Sequence, residues 1–126
     1  MKKIIIAGSR SFNDYKVLCE RCDEVFSAQD NNPIVVSGGA KGADLMGEKY
    51  ASDRGYGIRR FPADWVKHGN SAGPIRNVQM AEYADGLIAF WDGESAGTKN
   101  MIDNAKKKGL EVLIVLFKKD VAGVRG

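Results

Sequence analysis

The chain has 126 residues, 44% of them hydrophobic, with 19 Lys and Arg against 16 Asp and Glu for a formal charge of +3. That length fits a single domain, 1–126, whose one core buries roughly 65–70% of the unfolded surface, and the mild charge admits a phosphate-bearing partner while excluding the dense basic surface of a dedicated nucleic-acid binder. No run of 18 apolar residues occurs, and Met1-Lys2-Lys3 leads into only four apolar residues before Gly8, so neither a membrane span nor a secretory signal is expected and the expected location is the cytoplasm.

Residues 3–7 are a short apolar run closed by Gly8, the pattern of a strand buried on both faces. Residues 14–28 carry Val17, Leu18, Cys22, Val25 and Phe26 at helical spacing, and the stretch through Asn32 and Pro33 ends that helix. Cys19 and Cys22 form an isolated C-x-x-C inside it; with no second cysteine pair and only the distant His68, they read as two helix thiols, and no metal is expected. A second strand spans 34–37, and a helix with Ala43, Leu45, Met46, Tyr50 and Ala51 on one stripe stops at Gly55. A third strand over 57–61 is expected at the sheet edge because it carries Arg59 and Arg60. Residues 62–73 read as a loop, and Pro74 at a first helical position opens a helix to about residue 84. A fourth apolar strand over 86–91, a glycine loop over 92–97, a helix over 98–108 and a last strand over 111–117 complete the chain.

Strands alternating with helices predict an α/β domain: a doubly wound, five-stranded parallel sheet of order 3-2-1-4-5 with helices on both faces. Ligands in such sheets sit beyond the carboxyl ends of the strands where the order reverses, here between strands one and four. Gly8-Ser9-Arg10 leaves the first strand there, and Ser37-Gly38-Gly39-Ala40-Lys41-Gly42-Ala43-Asp44 leaves the second. The latter is neither a P-loop nor a G-x-G-x-x-G motif, yet its glycines permit close approach to main chain at a helix start, a corner that favours anions.

Each candidate residue has a plain alternative. Arg10 is either a turn arginine or a guanidinium aimed into the crevice to grip a phosphate. Arg76, read as first-turn, is an unfavoured cation at a positive helix end unless an anion or a surface carboxylate is near; Asn77 beside it caps or reaches a base or ribose. Asp44 is favoured early in a helix in any protein, and it either holds the glycine loop or accepts from ribose. Asp92 and Glu94 are the carboxylates at the mouth for acid–base work, although turn acids of this kind are usually solvated. Gly93, Ser95, Gly97 and Thr98 suit a helix cap and equally a second phosphate oxygen. His68 is a lid candidate or merely exposed, and Trp65 and Trp91 stack on a base or pack inward.

Together, Gly8-Ser9-Arg10, the 37–44 loop, Arg76-Asn77 with Met80 and Ala84-Asp85, and Gly93-Glu94-Ser95-Ala96-Gly97-Thr98 resemble the SLOG superfamily, most closely its YspA-like branch. The resemblance covers nearly the whole chain. It implies a Rossmann-like domain for nucleotides or nucleotide-derived ligands, no cofactor, self-association into a homo-oligomer, and kinship with cytokinin-activating phosphoribohydrolases and with the DNA-processing protein DprA. The hydrolase relatives use a Met-x-x-Arg-Lys-x-x-Met helix and a Pro-Gly-Gly-x-Gly-Thr-x-x-Glu loop, whose arginine and glutamate are catalytic. Arg76, Met80, Gly97 and Thr98 match, but Asn77 replaces the lysine and Met101 the glutamate. Methionine moves no proton, so ligand binding is the leading expectation, hydrolysis of N-ribosidic or phosphate-ester bonds the first alternative and single-stranded DNA binding the second.

Overall fold

The computed structural model describes residues 2–27 and 32–118. The elements are β1 (Lys3–Gly8), α1 (Tyr15–Phe26), β2 (Ile34–Ser37), α2 (Ala43–Arg54), β3 (Gly57–Arg60), α3 (Trp65–His68), a 3-10 turn (Gly69–Ser71), α4 (Ala72–Tyr83), β4 (Gly86–Trp91), α5 (Ala96–Lys107) and β5 (Glu111–Leu116). All strands are parallel, in the order β3-β2-β1-β4-β5. The doubly wound sheet is thus the expected one, with β3 at an edge.

Successive residues of a strand face opposite ways, so a strand apolar at every position serves two cores. Ile4 and Ile6 of β1 join Val35, Ile88 and Phe90 beneath Leu18, Cys22 and Phe26 of α1 and Tyr50 of α2. Ile5 and Ala7 face the other way, joining Val36, Leu87 and Ala89 under Met80 and Ala81 of α4 and Met101, Ile102 and Ala105 of α5. Central β1 and β4 are therefore dry on both faces, and at β1 the chain turns where a side chain will not fit: a Cβ on Gly8 would collide with the Phe90 carbonyl oxygen. Among the described residues no helix is long and apolar enough to cross a membrane.

Three boundaries differ from expectation by more than one residue. The stretch read as a loop over 62–73 holds α3 and the 3-10 turn; Asp64 caps α3 by accepting from the Lys67 N–H at 3.0 Å, and one helical turn is too short to show a period. Helix α4 begins at Ala72 rather than Pro74, because Ala72 and Gly73 are buried and continue the helix backwards, while proline in a first turn still forfeits no helical hydrogen bond. That moves Arg76 from the first turn to the second, where the macrodipole argument weakens. Helix α5 likewise starts two residues early, at Ala96. The expected end of the first helix at residue 28 lies outside the described residues.

Candidate functional site

Loops after β1, β2 and β4 and the start of α4 enclose a crevice of about 650 Å3 at the carboxyl edge of the sheet. Of the residues expected at a site, Gly8, Ser9, Arg10, Asp44, Arg76, Asn77, Asp92, Ser95, Gly97 and Thr98 line it. Helices α1 and α3 have aspartate N-caps, whereas α2, α4 and α5, which start at the crevice, have no side-chain cap. At α5 the Lys99 N–H bonds to the Ser95 carbonyl at 3.1 Å, and the N–H groups of Ala96, Gly97 and Thr98 precede it without a side-chain acceptor. The Ser95 hydroxyl is committed to Asp92 at 2.9 Å. Thr98 is 5% exposed, and its hydroxyl makes no hydrogen bond among the described residues. Three N–H donors and a sheltered free hydroxyl at a positive helix end form a receptor for an anionic oxygen.

The cations sit opposite. Arg76 donates from Nη1 to the Gly38 carbonyl at 2.6 Å and from Nε to Asn77 Oδ1 at 3.1 Å. Residue 38 has to be glycine for this: a Cβ there would stand 2.5 Å from Arg76 Nη1 and 2.8 Å from Asp44 Oδ2. Burial pushes the Arg76 guanidinium below its ordinary pKa; Asp44 opposes the shift and Arg10 adds to it. Arg10 is exposed and has no hydrogen bond or ion pair among the described residues, so an anion between the two arginines would relieve their repulsion. Asp44 is buried in the first turn of α2 and accepts from the Ala40 N–H at 3.3 Å, which holds the glycine loop. Burial pushes its carboxyl up to about 6, against the pull of the Ala40 N–H and Arg76.

Asp92 behaves oppositely. Desolvation is the largest single influence and works upward, but the N–H and hydroxyl of Ser95, the Glu94 N–H and Ser9 together hold it at about 2. It accepts from the Glu94 and Ser95 N–H groups at 2.9 and 2.8 Å, so its work is to shape the turn, and a carboxylate held so low is a weak base at neutral pH. Glu94 is exposed and lies outside the crevice lining.

A row of amides completes the wall. Asn77 Nδ2 donates to Asn100 Oδ1 at 2.9 Å, and Asn104 Nδ2 donates to the same oxygen at 3.1 Å. With that oxygen taken twice, the Asn100 amide group is left as the donor on a residue that lines the crevice. Met80 and Met101, each 1% exposed, form an apolar floor.

Other expected residues lie around the site. Ser37 is beneath the glycine loop; its hydroxyl donates to Glu48 Oε2 at 2.7 Å and accepts from the Gly39 N–H at 3.0 Å. Gly42 packs its backbone on Ser9 and Arg10, while Lys41, Gly93 and His68 lie outside the lining. Trp91 turns inward, its Nε1 donating to the Ser95 carbonyl at 3.1 Å; Trp65, 52% exposed, stands at the mouth. Cys22 is fully buried, which pushes its thiol up. Asn100 and Glu48 were not anticipated, since each acquires its part through a partner distant in sequence.

A five-stranded parallel sheet in this order, with its crevice at the switch between β1 and β4, is a Rossmann-like α/β domain. The chain belongs to the YspA, cpYpsA-related SLOG family, whose model matches residues 2–68. It is 34% identical over 119 residues to the Gene 61 protein of Mycobacterium phage D29, covering 90% of this chain and 95% of that protein. The X-ray structure of TM1055, a structural genomics target, shares the fold at a TM-score of 0.65 and 20% identity, over 89% of this chain and 72% of that one. The family match takes in Arg10 and the glycine loop and ends before α4, so Arg76, Thr98 and the amide row lie outside it.

Proposed function

We propose that this protein binds a nucleotide or nucleotide-derived ligand at the carboxyl ends of its strands. The observation that carries the reading is the open start of α5: free N–H groups and the sheltered, unpartnered Thr98 hydroxyl at the edge of a crevice with Arg10 and Arg76 opposite. A phosphate is held at α5 between these groups. The ribose and base lie over Met80 and Met101, with the Asn100 amide donating to an acceptor on the ligand. The reading also carries a cytoplasmic location, where nucleotides are abundant, and a homo-oligomeric assembly.

Hydrolysis of an N-ribosidic bond is the second reading, and one observation favours it: Asp44, at about 6, is the lining carboxylate whose pKa suits proton transfer near neutrality. Binding is preferred because the position of the relatives' catalytic glutamate is the buried Met101. A DprA-like DNA groove has less support, since Arg59 is stacked on Phe61 and Tyr83 at 4.6 and 5.7 Å.

Calorimetry and thermal shift with mono-, di- and cyclic nucleotides test the proposal. A ligand at 100 times its Kd is expected to stabilise the fold by about 2.7 kcal/mol, and Thr98→Val to weaken it about fivefold to tenfold by removing one hydroxyl contact. No binding across the panel would refute the reading. Release of free base, lost in Asp44→Asn, would move the assignment to the hydrolase.

A further inference from the structure

Next to the crevice, past the Arg76 guanidinium and the Trp65 indole, lies a second compartment of about 310 Å3. Arg10, Ala40, Trp65 and Arg76 border both spaces, Arg60 only the second, and among the described residues no carboxylate lines it. Each arginine has donors to spare. Arg60 donates from Nε to Glu48 Oε1 at 2.9 Å, and its two terminal nitrogens have no partner among the described residues. Arg76 spends Nε and Nη1 on Asn77 and Gly38 and leaves Nη2 without a partner among the described residues, and Arg10 has none among them at all. Two acids stand behind this wall: Asp44 lies buried beside Gly38 and Arg76, and Glu48 is engaged by the Ser37 hydroxyl on its other oxygen.

Three guanidinium groups round a concave space, without an acid in its wall, concentrate anions. Their planar forks match the oxygens of phosphate, and a half-exposed indole beside them offers an apolar face for a ring. Because four residues are shared, a ligand in the first space reaches the second without leaving protein contact.

We infer that the two compartments form one bipartite site, selective for a nucleotide that carries a second phosphate: a nucleoside diphosphate or a 5′–5′ diphosphate-linked dinucleotide rather than a mononucleotide. This rests on the proposed nucleotide binding. The first phosphate lies at α5, the second among Arg10, Arg60 and Arg76, and Arg76 touches both. In a dinucleotide the second nucleoside lies against Trp65.

Calorimetry with AMP, ADP, a 5′–5′ diadenosine diphosphate and a short oligothymidylate separates the cases, and the readout is the ratio of affinities. The two-phosphate probes are expected to bind at least about tenfold more tightly than AMP, as one added charge-assisted contact requires. Arg60→Gln brings that ratio to about one, and Arg60→Lys, which keeps the charge, restores most of it. Equal affinity of the wild type for AMP and the two-phosphate probes would overturn the inference and leave the proposed function standing. So would an unchanged ratio in Arg60→Gln with all affinities lowered together, which would mark a purely structural role through Glu48 and Ser37. Tighter binding of the oligonucleotide than of the dinucleotide would overturn it in favour of a nucleic-acid groove. Failure of every probe would remove both proposals.

Discussion

Asp44→Asn should make the protein more stable at neutral pH, although it removes a charge that faces Arg76. The carboxyl is buried, and its pKa rises from 3.8 to about 6 on folding. A shift of about two units corresponds to about 3 kcal/mol. Since the folded value lies above the unfolded one, this stability is fully present below about pH 4 and is lost as pH rises through about 6. Asparagine keeps an oxygen for the Ala40 N–H, 3.3 Å away, and removes the buried charge. Urea denaturation of both proteins at intervals from pH 4.5 to 8 reads the effect: the gap in unfolding free energy should widen in favour of the variant by about 2 kcal/mol across that range. Parallel curves, or a variant less stable than wild type at pH 7.5, would refute the reasoning. A carboxylate kept ionised in a crevice at such a cost is better explained by the site than by the core.

Two glycines are expected to separate folding from binding. Gly8→Ala meets the Phe90 backbone, which cannot swing aside, and should lose about 3 kcal/mol or fail to fold. Gly38→Ala meets only the ends of Arg76 and Asp44; it should fold with a loss of about 1 kcal/mol by urea denaturation, yet lose about tenfold in nucleotide affinity, and wild-type affinity would contradict the role given to Arg76. Asp92→Ala is expected to cost about 1 kcal/mol through its lost turn contacts, with nucleotide affinity falling only as the α5 entry loosens; calorimetry beside denaturation distinguishes the two. In native protein a thiol reagent should label Cys19 and spare Cys22, whose thiol is buried and pushed up; equal labelling would show that α1 opens readily.

The sheet was legible because its signals are local. The all-apolar runs at 4–7 and 87–91 mark strands buried on both faces, and the arginines at 59 and 60 mark an edge. Helix α3 was not legible, since Trp65–His68 is a single turn held by one aspartate cap. In the site, the glycines revealed themselves because close main-chain approach is written into residue type, and Gly38 shows what that approach accommodates. The carboxylates did not. Asp44 and Asp92 look alike in sequence, and only their surroundings, a buried niche against a turn full of donors, drive one to about 6 and the other to about 2. The Asn77–Asn100 bond and the Ser37, Glu48 and Arg60 chain join residues on different elements, which no local pattern encodes.

If a ligand phosphate is held by the first turn of α5, an amide NMR titration of isotope-labelled protein with ADP will report it there. Saturable shifts are expected centred on the N–H groups of Ala96, Gly97 and Thr98, followed by those of the Gly38–Ala40 loop. Saturable binding that leaves these amides unmoved while shifting others would contradict it.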